Sequence, residues 1–187
     1  MGSYINVGLV FDKLCTDKLK KIIKYLINKN GVLKFGDYSK DKEGDEWVNI
    51  NFNDKTYVSE LCSNYYGKLI IVPDIKEPLN SANVILEIIK KENVQGVILS
   101  FHEEDVLKSY NEIELITVTD AFIHIIEDLY ELVEFDYAVC DNDAEIIYTK
   151  ELIHNFKKEY SITFIPDESK KLHEFRTDWH INGLTQR

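Results

Sequence analysis

The 187-residue chain carries 33 acidic against 22 basic residues, a net charge of −11, and is 44% hydrophobic with eleven Tyr, nine Phe and two Trp. That apolar and aromatic content excludes a disordered chain and suffices for a substantial core, most simply in one domain spanning 1–187. The acidity disfavours contact with nucleic acid or anionic lipid, where phosphates require clustered Lys and Arg, and no apolar run or signal pattern predicts a membrane span or export, so the expected location is the cytoplasm.

Residues Ile5 to Phe11 (INVGLVF) read as a buried strand. Thr16 or Asp17 can cap a helix with Leu19, Ile22, Ile23, Leu26 and Ile27 on one face, closed by Asn30-Gly31. Val32 to Tyr38 and Glu46 to Phe52 predict two antiparallel strands around the polar loop KDKEGD. Thr56 opens a short helix with Val58, Leu61, Cys62 and Tyr65 in register, ended by Gly67, and KLIIVP (68–73) is a further strand. VILEII (84–89) fits either a helix or a strand; its Val and Ile content and the turn at Lys91-Glu92-Asn93 favour a hairpin with GVILSF (96–101).

From Val118 onward, Phe122, Ile125, Ile126, Leu129, Leu132 and Val133 recur at helical spacing, with Thr117 as N-cap and Asp120 three positions later. Phe135, Tyr137 and Val139 then alternate as a strand into the turn formers Asp141-Asn142-Asp143. Thr149 caps a helix from about 150 to 159 with Leu152, Ile153 and Phe156 inward, and 161–165 returns as a strand. Beyond about 167 the polar tail, with Phe175, Trp179 and Ile181 as its large apolar residues, is expected to be loosely packed. The fold class is α+β: a mixed, largely antiparallel sheet with about four helices packed mainly on one face.

The charge is concentrated. Residues 101–145 hold fourteen acids against Lys108 alone, a local −13, whereas the first forty residues carry eight Lys and three Asp. On the long helix Asp120, His124, Glu127, Asp128 and Glu131 take the face opposite the apolar stripe, which makes them the candidate partner-binding residues and a basic protein the candidate partner.

Catalytic patterns are weak. Asp141, Asp143 and Glu145 form D-x-D-x-E but lack the Gly and distal Glu of a calcium loop, so an acidic turn is the better reading. The five His form no H-E-x-x-H pair, Cys15, Cys62 and Cys140 have no zinc or disulfide spacing, and no P-loop, G-x-S-x-G or G-x-G-x-x-G occurs. No metal or cofactor is expected. The thiols should be reduced, Cys62 being packed.

The run FDYAVCDNDAEIIYT (135–149), preceded by the acidic helix and GVILSFHEEDVL, resembles an immunity-protein family of bacterial polymorphic toxin systems, on Tyr137, Cys140, Asp141, Ala144, Glu145 and Ile146. The resemblance implies a small cytoplasmic α+β inhibitor, not an enzyme, that binds and neutralises a cognate toxin domain. The charge adds that this toxin is basic, such as a nuclease, with an acidic face occupying its groove. Tyr137, Cys140, Asp141, Ala144 and Glu145 are then structural. The competing classes are a small metal-assisted hydrolase using Asp141, Asp143, Glu145 and a histidine, and an interaction module unrelated to toxins.

Overall fold

A computed structural model describes residues 3–91 and 93–177. Among these residues nine strands form one sheet in the order β3-β2-β4-β5-β6-β1-β7-β8-β9, and every pairing is antiparallel. The strands are β1 (Tyr4–Phe11), β2 (Val32–Ser39), β3 (Trp47–Asn49), β4 (Tyr66–Val72), β5 (Val84–Lys91), β6 (Val94–His102), β7 (Tyr137–Asn142), β8 (Ile162–Pro166) and β9 (Leu172–Arg176). The helices are α1 (Thr16–Ile27), α2 (Tyr57–Ser63), α3 (Glu103–Val106), α4 (Glu112–Val133) and α5 (Lys150–Phe156). The expected α+β class holds, as does the hairpin: β5 and β6 run together from Lys91↔Val94 to Val84↔Phe101.

Alternation along the strands sorts the side chains onto two faces. Ile5, Val7, Leu9 and Phe11 of β1, with Val97, Leu99 and Phe101 of β6, pack beneath α1, α2 and α4 in the main core. Tyr137, Val139, Val10 and Ile98 look the other way, into a smaller core covered by α5 and the stretch from Ala144 to Tyr160. Ile146 is the plug of that second core. It sits over Gly8 and Gly96, and a Cβ at Gly96 would lie 2.5 Å from the Leu9 carbonyl oxygen and 2.8 Å from Ile146 Cδ1. Over β3, β2 and β4 this face is uncovered, leaving Phe35, Trp47 and Tyr66 each at least 38% exposed.

Several boundaries differ from expectation. α1 ends at Ile27, where Asn28 with its positive φ (32°) closes the helix ahead of the expected Asn30-Gly31, and its N-cap is Cys15. Gly67 lies inside β4 and does not end α2, which stops at Ser63. Leu132 and Leu152, placed inward by periodicity, are 40% and 46% exposed, because α4 and α5 each bury a stripe turned away from them. Part of the segment expected to be loose forms β9, which pairs with β8 from Pro166↔Leu172 to Ile162↔Arg176. Its LHEFR pattern is a polar edge strand, half-covered at most, and so lacks the apolar run that marks an interior strand. Trp179 and Ile181 lie outside the described residues.

Candidate functional site

α4 begins five residues before Thr117, and the physical reason is a stronger cap. The Asn111 side chain accepts from Glu114 N–H at 3.0 Å, while the Glu114 carboxylate reaches back to the N–H groups of Lys108, Ser109 and Tyr110 at 2.7–2.9 Å. Those donors hold the Glu114 carboxyl down at about 2, against an ordinary 4.5. Thr117 instead donates its hydroxyl to the Ile113 carbonyl at 2.8 Å. At the other end Lys21 donates to the Leu132 carbonyl at 3.1 Å and Lys18 to that of Glu134 at 2.8 Å. These cations complement the negative end of the helix dipole. Part of the basic face of α1 thus serves the acidic helix directly.

Between these fastened ends α4 contains no Lys or Arg. Its inner side, from Leu115 through Phe122, Ile126 and Leu129 to Val133, is buried in the main core. Asp120, His124, Glu127 and Glu131 are exposed on the outer side, with Asp128 half-buried. The carboxylates then divide. Asp128 accepts from the Tyr25 hydroxyl at 2.8 Å, and burial followed by that bond raises Tyr25 well above its ordinary range. Asp120, Glu127 and Glu131 have no side-chain hydrogen bond or ion pair among the described residues. The His124 Nδ1 lies 2.6 Å from the Asp120 carbonyl oxygen.

Beside this face runs a groove of about 280 Å³, between α4, α1 and the loop carrying Lys76, Glu77 and Leu79. Asp120, His124 and Asp128 line it, with Leu79, Ala121 and Ile125 supplying apolar surface. A second hollow of about 500 Å³, bounded by Asn28, Asp74 and Ile75, shares Tyr25, Lys76 and Asp128 with it. Asp74 fixes that rim by accepting from Lys29 N–H and Asn30 N–H, both at 3.0 Å. Sequence reasoning missed Tyr25, Lys76, Glu77 and Leu79. They come from segments more than thirty residues before α4, and no local pattern links them.

The residues of the 137–145 motif are not gathered into one site. Tyr137 is fully buried and donates to the Tyr148 carbonyl at 2.6 Å. Cys140 is buried in the main core, where burial pushes its thiol well up. Asp141, 1% exposed, faces the opposite side and accepts from the Ser161 hydroxyl at 2.9 Å and Ser161 N–H at 3.3 Å, tying β7 to β8. Asp143 (φ 48°) accepts from Tyr4 N–H at 3.1 Å. Ala144 is buried, whereas Glu145 points outward within 3.9 Å of Lys91. Among the described residues no three His, Cys, Asp or Glu side chains are grouped to hold a metal, and no helix is long and apolar enough to cross a membrane.

The family model of Immunity protein 64 matches residues 1–187. The chain belongs to the immunity protein 64 family. It is accordingly an immunity protein, a neutraliser of a toxin. A comparison with curated proteins returned no match. Among solved structures, one similar chain comes from the crystal structure of the toxic C-terminal tip of CdiA from Pseudomonas aeruginosa in complex with immune protein. It has 15% identity and a TM-score of 0.51, over 99% of this chain and 100% of that one. At this identity the likeness is one of fold. A T6SS protein from Pseudomonas aeruginosa aligns over 89% of this chain and 59% of its own, at 10% identity and a TM-score of 0.38. That resemblance is too slight to build upon.

Proposed function

We propose that this immunity protein neutralises a basic toxin domain by laying the outer face of α4 against it, as a stoichiometric inhibitor with no catalysis of its own. The observation that carries the reading is the row of unpaired carboxylates. Asp120, Glu127 and Glu131 serve no partner within the described fold, on a helix without a single Lys or Arg, while Glu114 and Asp128 of the same helix are engaged in holding it. A field of one sign held on a rigid element attracts an oppositely charged protein and raises its association rate. The same field repels nucleic acid. The toxin named with the immune protein in the similar crystal structure fits a protein partner. The three free cysteines fit a reducing compartment, the cytoplasm.

The test is the triple variant Asp120→Lys, Glu127→Lys, Glu131→Lys against the toxin domain encoded beside the gene. None of these side chains supports the core, so the melting temperature should hold or rise slightly as like-charge repulsion is relieved. The association rate should fall by roughly tenfold or more at low salt, with the gap closing as ionic strength shortens the Debye length from about 8 Å toward about 3 Å. Undiminished association and protection by the folded variant would overturn the α4 assignment and direct attention to the open sheet face bearing Phe35, Trp47 and Tyr66.

A further inference from the structure

The outer face of α4 is not acidic throughout. Ile113, Ile116, Asp120, His124, Glu127 and Glu131 follow one another at steps of three and four and so form one straight row. At 1.5 Å per residue the row is about 27 Å long. Its first turn is apolar: Ile113 is 79% exposed, more than any other large hydrophobic residue among those described, and Ile116 is 48% exposed. Neither is required by the fold at that position. An exposed helix site favours Ala, Glu or Lys over β-branched Ile, which loses rotamer freedom there. The core begins on the other side of the helix with Leu115 and Val118.

This apolar turn is also the most firmly fastened point on the row. The Asn111 and Glu114 caps close on the residues just before it, with Ser109 Oγ adding a bond to Glu114 at 2.9 Å. Two isoleucines held rigidly at a helix start bind with little ordering cost, whereas exposed Asp and Glu side chains in water contribute mainly attraction at a distance. Charge complementarity identifies what covers them. Glu112 abuts the apolar turn on one side and Asp120 lies on the next turn, so a surface docked on Ile113 must lie within reach of at least two carboxylates that have no partner among the described residues.

Resting on the assignment of the α4 face to the toxin, we propose that Ile113 and Ile116 are the affinity anchor of that contact, seated in an apolar recess of the toxin domain bordered by its basic patch. The acidic part of the row speeds the encounter, and the isoleucine pair holds the complex together. Interfaces of this kind concentrate their energy in a few buried anchors within a charged rim.

The two roles separate kinetically. The double variant Ile113→Ala, Ile116→Ala and the triple Lys variant are each measured by stopped-flow or surface plasmon resonance against the toxin domain encoded beside the gene, at two salt concentrations. The double variant should keep its melting temperature and its association rate within about twofold, and raise the dissociation rate at least tenfold at both salt concentrations. An unchanged dissociation rate in the double variant, alongside slowed association in the triple variant, would overturn the anchor and leave the α4 face standing. Unchanged kinetics in both variants would overturn the face and the anchor together. A dissociation rate raised only at low salt would also sink the proposal, since it would mark the isoleucines as acting through the neighbouring charges.

Discussion

Asp141 and Cys140 are adjacent in the chain and point to opposite faces of β7, so each meets a different core. Cys140 is fully enclosed in the main core, and Asp141 is a buried carboxylate that accepts from Ser161, just before the neighbouring strand, as well as from Asn142 N–H. Replacing Asp141 with Ala strands the Ser161 donors in a buried site, and Cys140→Ser places a hydroxyl among apolar side chains. Each should cost about 1–3 kcal/mol. Chemical denaturation of both variants checks this, and full stability in either would show that its position is not structural. The polar character of Asp141 was readable from the sequence, but Ser161 as its partner was not, because the bond crosses between strands twenty residues apart. Leu132 misled for a related reason: spacing marks a stripe but not its width, and Leu132 falls outside the stripe that α4 buries.

At the scale of the element, side chains at helix ends decide where the helices run. Lysines satisfy C-terminal carbonyls of α4, through Lys18 and Lys21, and Lys90 does the same for α2, bonding the Cys62 carbonyl and that of Asn64 at 2.8 Å. Glu114 performs the converse service at the start of α4. Its folded pKa is depressed from 4.5 to about 2, so its contribution is fully present above pH 4.5 and lost as pH falls through about 2. Glu114→Gln should therefore lower the melting temperature at neutral pH, and the difference from the wild type should shrink steadily between pH 4.5 and 2. A constant difference across a melting series in that range would show that the carboxylate's charge is not what fastens the loop. The true start of α4 was hard to see in sequence because Ile113 and Ile116 interrupt the amphipathic pattern. The residues that broke the pattern are the ones whose exposure now calls for a partner.

Across the whole molecule, the strand hairpins and the long helix were legible because their apolar runs and periods are strong. The two-sided covering of the sheet was not, since it depends on Ile146 finding the floor made by Gly8 and Gly96 from strands far apart in sequence. That covering divides the sheet energetically. β6, β1 and β7 lie between the main core and the smaller one, whereas β2 and β3 are packed on one side only and end in a three-residue edge strand. Opening β3 and β2 exposes Tyr38 of the main core with Leu33, Val48, Ile50 and Phe52 on its border, while opening β1 exposes both cores at once. Local unfolding should therefore start at the β3 edge, at a free energy below that of global unfolding. Native-state hydrogen exchange is expected to show amides of β2 and β3 exchanging through this partial opening, insensitive to low denaturant. Amides of β1, β6 and β7 should exchange only with the global transition and follow its full denaturant dependence. The α4 amides should join the slow group, since its inner stripe from Leu115 to Val133 spans the main core, and this keeps the proposed toxin-facing row rigid while the far edge of the sheet opens. Equal protection of β3 and β1, or fast exchange in the middle of α4, would refute this order.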